Sequence, residues 1–478
     1  MTPSERALSG RLTKLTYGFG AMAYGIKDSG FSYFLLMFYS TVVGLDPGMV
    51  GLAIFIALVA DAVSDPVVGY VSDNWRSRWG RRHPFMYASA IPVAVSYFLL
   101  WNPPDWSETA LFWYLVSFSI VIRTFITLYE TPSSSLMPEL TRDYVERTSF
   151  QAYRVFFGWI GGLSLSILMF GFLLVANEEY SVGTLNRDGY ATYGIIASVM
   201  MFLAIMVSAL GTHRVIKFLQ PPPTQRALGL KAIFAEIFET LRDRSFFALF
   251  SSQIFSAVAA GTSAALAFLM MTYFWGFSSS QIFEYLLLLL GAAILGPMLG
   301  PVAVRRFGKK GAVIKIGVVA YSLLPLLVLT RLTGLLPDND HPWVPTIVLA
   351  VYAVDIMLLI ALQSIQASML ADLVEQSEVR TGRRSEGVFY AAVTFTRKST
   401  QGIGALIAGL ILSIVGFPNG ADPASVADDT LWNLGAWYAP TLLVLYSFIL
   451  IAVSFYRIDR NTHQNNLDTL ARQKAEST

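Results

Sequence analysis

Asp61-Ala62-Val63-Ser64-Asp65-Pro66, followed by Gly69-Tyr70-Val71-Ser72-Asp73-Asn74-Trp75-Arg76-Ser77-Arg78-Trp79-Gly80-Arg81-Arg82-His83-Pro84, is the stretch that decides the fold of this chain. Asp61 and Asp65 stand four residues apart, on one helical face, inside an apolar run from Val50 to Tyr70 that holds no other charge. A charged side chain at the centre of a membrane helix costs roughly 2.5 kcal/mol or more, and two like charges a turn apart repel each other. A bound cation or proton removes both penalties.

The rest of the chain provides the apolar setting this pair requires. Of 478 residues, 54% are hydrophobic and only 14% charged, against about 25% charged in a typical soluble domain, and the mean hydropathy is +0.54. The formal net charge of +2 singles out no partner. Cysteine is absent, and His83, His213, His341 and His463 sit near the ends of apolar runs. Disulfide, metal and Cys-nucleophile chemistry therefore lack the residues they need, and no enzyme activity is expected. Met1 to Lys14 is polar and basic and leads into a full-length apolar run without a small-residue cleavage site, which predicts a retained first helix.

Apolar runs predict spans at about 15–43, 48–72, 84–102, 109–135, 150–176 and 191–212, then 246–275, 280–302, 311–331, 343–372, 386–416 and 431–456. The expected fold is an all-α polytopic membrane protein with twelve transmembrane helices in two six-helix, pseudo-symmetric bundles. Its domains are 1–212, a linker 213–245, 246–457 and a tail 458–478. The linker contains Pro221-Pro222-Pro223 and an amphipathic segment from Leu228 to Leu241, expected to be a surface helix. With both termini on one side, the loops of that side hold 26 of the 34 basic residues, and the opposite loops hold only Arg187 and Arg331. The positive-inside rule puts both termini in the cytoplasm.

The two halves echo each other. Span two ends in a glycine and an arginine-rich turn, Gly69 to Arg82, and span eight ends similarly with Gly300, Arg305, Arg306, Gly308, Lys309 and Lys310. Matching basic turns suit a transporter whose halves rock about a midplane site, with Arg78, Arg81 and Arg82 as candidate gating residues; as a bare pattern, basic turns also serve as topology signals. Lys27, Arg123, Arg154, Lys315, Arg397 and Lys398 lie inside or at the edge of spans, with the acids Asp28, Glu130 and Asp355. Arg123 and Glu130 share a helical face, so a structural ion pair or a polar cavity wall accounts for them. Lys315 can snorkel. Arg397-Lys398 lies about eleven residues inside span eleven, where a cation facing an acidic cavity fits better. Asp355 reads equally as a structural or a functional acid.

The chain resembles the glycoside-pentoside-hexuronide:cation symporters, the melibiose permease group of the major facilitator superfamily. The resemblance covers most of the chain. It is carried by Tyr17-Gly18-Phe19-Gly20, Phe38-Tyr39, Val43-Gly44-Leu45, the Asp61-to-Pro66 box, Arg76-Ser77-Arg78-Trp79-Gly80, Pro132 with Leu136-Met137-Pro138, Arg154, and Ala371-Asp372-Leu373-Val374-Glu375 with Arg380-Thr381-Gly382-Arg383 and Glu386-Gly387. The resemblance implies a cation site at Asp61, Asp65 and Thr127, and a solute site at Glu130, Arg154 and Lys398, the last facing the cation site; Ser64 and Asp28, which depart from the group's pattern, are further candidates for the cation and the solute site respectively. It implies no cofactor, a coupling ion that is Na+ or H+, a bacterial inner-membrane location, and a fold for which a monomer suffices.

Departures from the group fall where substrate would touch. Ser64 replaces an Asn common in the group's sodium site, and the shorter ligand favours a proton or lithium. Gly25 stands where the group has a sugar-binding aspartate, with Asp28 a turn away. Ser134 stands in place of a sugar-stacking Trp, and Glu130 in place of a shorter Asp. Tyr153, Trp159, Phe389, Tyr390 and Phe395 are the aromatics available for stacking. The expected activity is symport of a glycoside or similar polyhydroxylated solute; the alternative is a cation-coupled lysolipid-type symporter of the same fold. An intramembrane enzyme or receptor lacks the Ser/His or metal cluster and the signalling domain it would need.

Overall fold

The computed structural model describes residues 10–141, 144–218, 244–381, 386–419 and 422–458, with 462, 464, 465, 468 and 469; side chains at scattered helical positions, chiefly 386–399, lie outside the described set. The expected surface helix at 228–241 also falls outside it. No strand occurs among the described residues.

The first span is built in pieces. Helices α1 (Arg11–Phe19) and α2 (Ala21–Ser29) meet at Gly20, and beyond them wide π-helical turns at Gly30–Phe34 and Phe38–Val42 flank the short α3 (Leu35–Met37). Such turns put one extra residue into a helical repeat and often mark functional breaks. Next come α4 (Pro47–Asn74), α5 (His83–Leu100), α6 (Glu108–Leu140), α7 (Tyr144–Leu168) and α8 (Arg187–His213). The Asp46 side chain caps α4 by accepting from Met49 N at 3.0 Å, with Pro47 at the first helical position. In the later part of the chain lie α9 (Arg244–Leu269), α10 (Ser279–Leu332), α11 (Trp343–Thr381), α12 (Glu386–Ile414) and α13 (Asp428–Ser454).

Nine helices among the described residues are long and apolar enough to cross a membrane. The difference from the twelve expected spans has local causes. The spans expected at 280–302 and 311–331 are two helices, together called α10, that meet at Gly308, whose φ of 69° and ψ of 168° are not helical. The first span is interrupted by its wide turns, and the apolar stretch of α12 counted among the described residues begins only at Thr400.

Two compact units are formed, one from Met1–Gln225, Ala264–Phe283 and Ala405–Val426, the other from Arg226–Ser263, Glu284–Gly404 and Ala427–Thr478. In the first, α6 packs on α4 and α5, and α7 packs on α1 and α2. Phe34, Phe170 and Phe268 pack together in this unit, with ring centroids 4.6–5.7 Å apart. Residues 405–426 are held there too, where Ser413 Oγ accepts from Gly48 N at 3.0 Å. The arginine-bearing end has its own apolar cluster of Tyr17, Leu136, Leu140, Phe150 and Val215.

Helices α2 and α7 touch backbone to backbone. A Cβ on Gly25 would lie 1.9 Å from Gly158 O, and one on Gly161 would lie 2.8 Å from Met22 Cα and O. Gly25→Ala must force these helices apart, and overpacking of this kind costs about 1–3 kcal/mol. The variant is expected to melt several degrees below the parent in thermal denaturation of the detergent-purified protein.

Candidate cation and solute sites

Asp61 and Asp65 are a turn apart on α4, and α6 brings Thr127 between them: its Oγ1 lies 3.0 Å from Asp61 Oδ1 and 2.8 Å from Asp65 Oδ1. A hydroxyl has one proton and two lone pairs, so Thr127 donates to one carboxylate at a time and keeps an acceptor for a cation. The two acids differ in surroundings. Asp61 is 2% exposed and Asp65 half-buried. One α6 turn before Thr127, Arg123 donates from Nη1 to Asp61 Oδ2 at 3.3 Å, and its guanidinium lies 4.7 Å from the centre of the Phe31 ring. Ser64 donates to Asp61 O of its own helix at 3.0 Å, which leaves its oxygen lone pairs as acceptors. The pairing of Arg123 with Glu130, open from their shared face, does not form; Arg123 turns to Asp61 across 62 residues of chain.

A second polar cluster forms around Arg154 of α7, which is 8% exposed. Its Nη1 donates to Tyr17 OH at 3.0 Å and its Nη2 to Ser134 Oγ at 2.9 Å. The guanidinium lies 5.5 Å and 5.7 Å from the ring centres of Tyr17 and Tyr24, and Tyr24 OH donates to Arg154 O at 3.5 Å. Among the described residues no carboxylate comes within 4.0 Å of Arg154. Glu130, half-buried on α6, faces Tyr24 closely enough to act on it electrostatically. On α2, Lys27 and Asp28 pair at 2.6 Å, the lysine side chain 4% and the aspartate 64% exposed. Gly25 packs against Gly158 with no room for a side chain, and Asp28 is the exposed acid of α2. Tyr153 packs its Cβ toward Gly18 of α1. Lys398 lies on α12 with its side chain outside the described set, as do those of Phe389, Tyr390 and Phe395. Tyr17 and Tyr24, absent from the expected solute site, are the residues that sequence reasoning missed; the signal was Tyr17 at the head of the Tyr17-Gly18-Phe19-Gly20 box.

At the arginine-bearing end, Gly80 takes a φ of 75° and turns the chain so that Arg81 and Arg82 both reach Glu139 near the end of α6. Arg82 is 6% exposed and bonds Glu139 Oε1 through Nε at 2.8 Å. Arg78 instead covers the Trp79 ring, at 5.3 Å. In the other unit, Gly308 takes a φ of 69° and is followed by Lys309, whose Nζ lies 2.6 and 2.8 Å from the two oxygens of Asp372 on α11. Tyr456 OH donates to the same carboxylate at 3.3 Å. A left-handed glycine, a basic pair and an acid two spans later thus recur in each unit. Asp355 of α11 is 3% exposed and lies near Tyr321, Tyr438 and Tyr446. Among the described residues no group of three or more His, Cys, Asp or Glu side chains is arranged to hold a metal ion.

A family model described as "MFS/sugar transport protein" matches residues 16–460. The chain is 25% identical to a putative glycoside/cation symporter, YagG, of Escherichia coli strain K12, over 93% of its own length and 91% of the relative's. It is 26% identical to sodium-dependent lysophosphatidylcholine symporter 1 of Gallus gallus, over 99% and 92% respectively. In fold it is similar to a bacterial homolog of the human lysosomal transporter Spinster in an inward-facing, unoccupied conformation, with a TM-score of 0.63 at 13% identity, covering 98% of this chain and 99% of that one.

Proposed function

This chain belongs to the MFS/sugar transport protein family, an integral membrane family of transporters and not enzymes, and on that premise we propose that it is a cation-coupled symporter of a glycoside or similar polyhydroxylated solute. In this reading it works by alternating access in a bacterial inner membrane, both termini cytoplasmic, with Na+ or H+ as the coupling ion and no cofactor. One observation carries it: Arg123, Thr127, Glu130 and Ser134 follow one another at spacings of four, three and four along one face of α6. That face joins the carboxylates at one level to the Arg154 cluster about 10 Å farther along the helix axis.

Asp61, Ser64, Asp65 and Thr127 supply oxygen ligands for a small cation, which neutralises the like charges. Arg154, with Glu130, Asp28 and Lys398, supplies donors and acceptors for solute hydroxyls, and the Tyr24 ring an apolar platform. An ion that changes the position of α6 changes both sites, which is a reciprocal coupling free energy. Arg81 and Arg82 on Glu139 close the arginine-bearing end, with Arg78 beside them.

The test is uptake by proteoliposomes of a glycoside panel under imposed Na+ and pH gradients. Accumulation should follow one of the two gradients, and Arg154→Ala should weaken solute binding about tenfold or more, through loss of hydrogen bonds to a charged donor. Accumulation of no glycoside under either gradient would remove the reading. A second reading, a cation-coupled lysolipid symporter, is favoured by the Arg154 guanidinium: among the described residues no carboxylate comes within 4.0 Å of it, and its planar fork suits a phosphate as well as hydroxyls. A lysophospholipid arm in the same uptake assay separates the two.

A further inference from the structure

Building on the cation site proposed above, we infer that Arg123 is a built-in counter-cation for Asp61, which leaves Asp65 as the carboxylate that exchanges the transported ion. The two acids sit a turn apart and share Thr127, so by type and spacing they look equivalent. Their surroundings make them different. Asp61 is 2% exposed and joined through Oδ2 to the Arg123 guanidinium, itself 6% exposed. Asp65 is half-buried, and its Oδ1 makes the shorter contact with Thr127.

Arg123 is lightly anchored for a buried cation. Besides the 3.3 Å contact with Asp61 it has the Phe31 ring, and its Nε is buried without a partner. A guanidinium at this depth persists only where negative charge surrounds it. The groups that supply it are Asp61 and Asp65 from α4 and Asp28 from α2, all acting on Arg123 electrostatically. Lys27 in turn pairs with Asp28. If Asp61 loses its charge, the guanidinium beside Asp65 remains, repels an arriving cation and competes for the remaining carboxylate. If Arg123 loses its charge, the negative charge of Asp61 acts on an arriving cation without the guanidinium to oppose it. Arg123 is therefore a positioning residue that sets how strongly the site holds its ion, and its place against Phe31 ties that setting to the wide turn at Gly30–Phe34.

The experiment measures cation binding to the purified full-length protein without solute. Na+ and Li+ are titrated by calorimetry, and proton binding is followed with a pH indicator in weakly buffered solution. Four variants are compared with the parent: Asp65→Asn, Asp61→Asn, Arg123→Gln and the double Asp61→Asn/Arg123→Gln. Asp65→Asn should lose the ion that the parent binds. Asp61→Asn should bind at least tenfold more weakly, and Arg123→Gln at least tenfold more tightly. The double variant removes both members of the pair together and leaves no orphan charge, so it should return to within about threefold of the parent. A double variant no better than Asp61→Asn, or Arg123→Gln with parental affinity, overturns the inference and leaves the cation site in place. Asp65→Asn with parental affinity overturns the cation site itself.

Discussion

Asp65→Asn is expected to lower cation-driven accumulation in proteoliposomes by about 10- to 100-fold while leaving membrane insertion and thermal stability close to the parent. Asp65 is half-buried and bonded to Thr127 Oγ1 at 2.8 Å. The amide keeps nearly the same shape and still accepts that bond, so the fold loses little. It loses the negative charge, and a charge-assisted contact is worth about 1.5–3 kcal/mol, which at about 1.4 kcal/mol per tenfold gives one to two orders of magnitude in ion affinity. Exchange of solute down its own gradient, which needs no net ion movement, is the control. Accumulation at the parental rate would show that Asp65 does not bind the coupling ion.

Glu139→Gln is expected to destabilise the arginine-bearing end of the first unit by about 2–4 kcal/mol. One carboxylate oxygen of Glu139 accepts from both Arg81 and Arg82, and Arg82 is 6% exposed. Removing one partner of a buried ion pair costs about 3–5 kcal/mol, because the other charge stays behind unpaired; the slight exposure of the cluster lowers the figure. Melting temperature in detergent and protease accessibility of the 75–82 turn are the measurements. Asp372→Asn should act in the same direction on the second unit, with a smaller effect, because Lys309 is 25% exposed and can turn to water. Parental melting and protease protection of Glu139→Gln would show that the cluster does not hold this end.

Much of this was legible in the sequence, for a physical reason. Charges are costly in lipid, so an acid or arginine inside an apolar run stands out; Asp61, Asp65, Arg123 and Arg154 were visible on that basis alone. Helical spacing put Asp61 and Asp65 on one face, and the structure brings Thr127 to both of them. Partners between helices were not legible. Arg123 shares a face with Glu130, yet its partner is Asp61 on another helix, because side-chain direction and helix packing settle the pairing, not spacing along one helix. Tyr17 and Tyr24 escaped notice because an aromatic in a span is ordinarily packing or lipid-facing. The wide turns in the first span carry no proline or charge to announce them. The break in α10 was legible, because the basic stretch 303–310 separates two apolar runs and Gly308 lies within it.

The close contact of Gly25 with Gly158 bears on how ion occupancy becomes solute affinity. Helices pressed together at their backbones cannot slide past one another cheaply, so α1, α2 and α7 form a stiff plate that carries Tyr17, Tyr24 and Arg154 as one preassembled cluster. The ligands proposed for the ion stand on α4 and α6, off that plate. The seam between them is stitched by Arg154 to Ser134 and by Tyr17 OH to Ser133 O, at 2.9 and 3.1 Å. A shift of α6 of less than 1 Å is enough to loosen both stitches, so in the proposed symport these two hydrogen bonds contribute about 2–4 kcal/mol to the coupling.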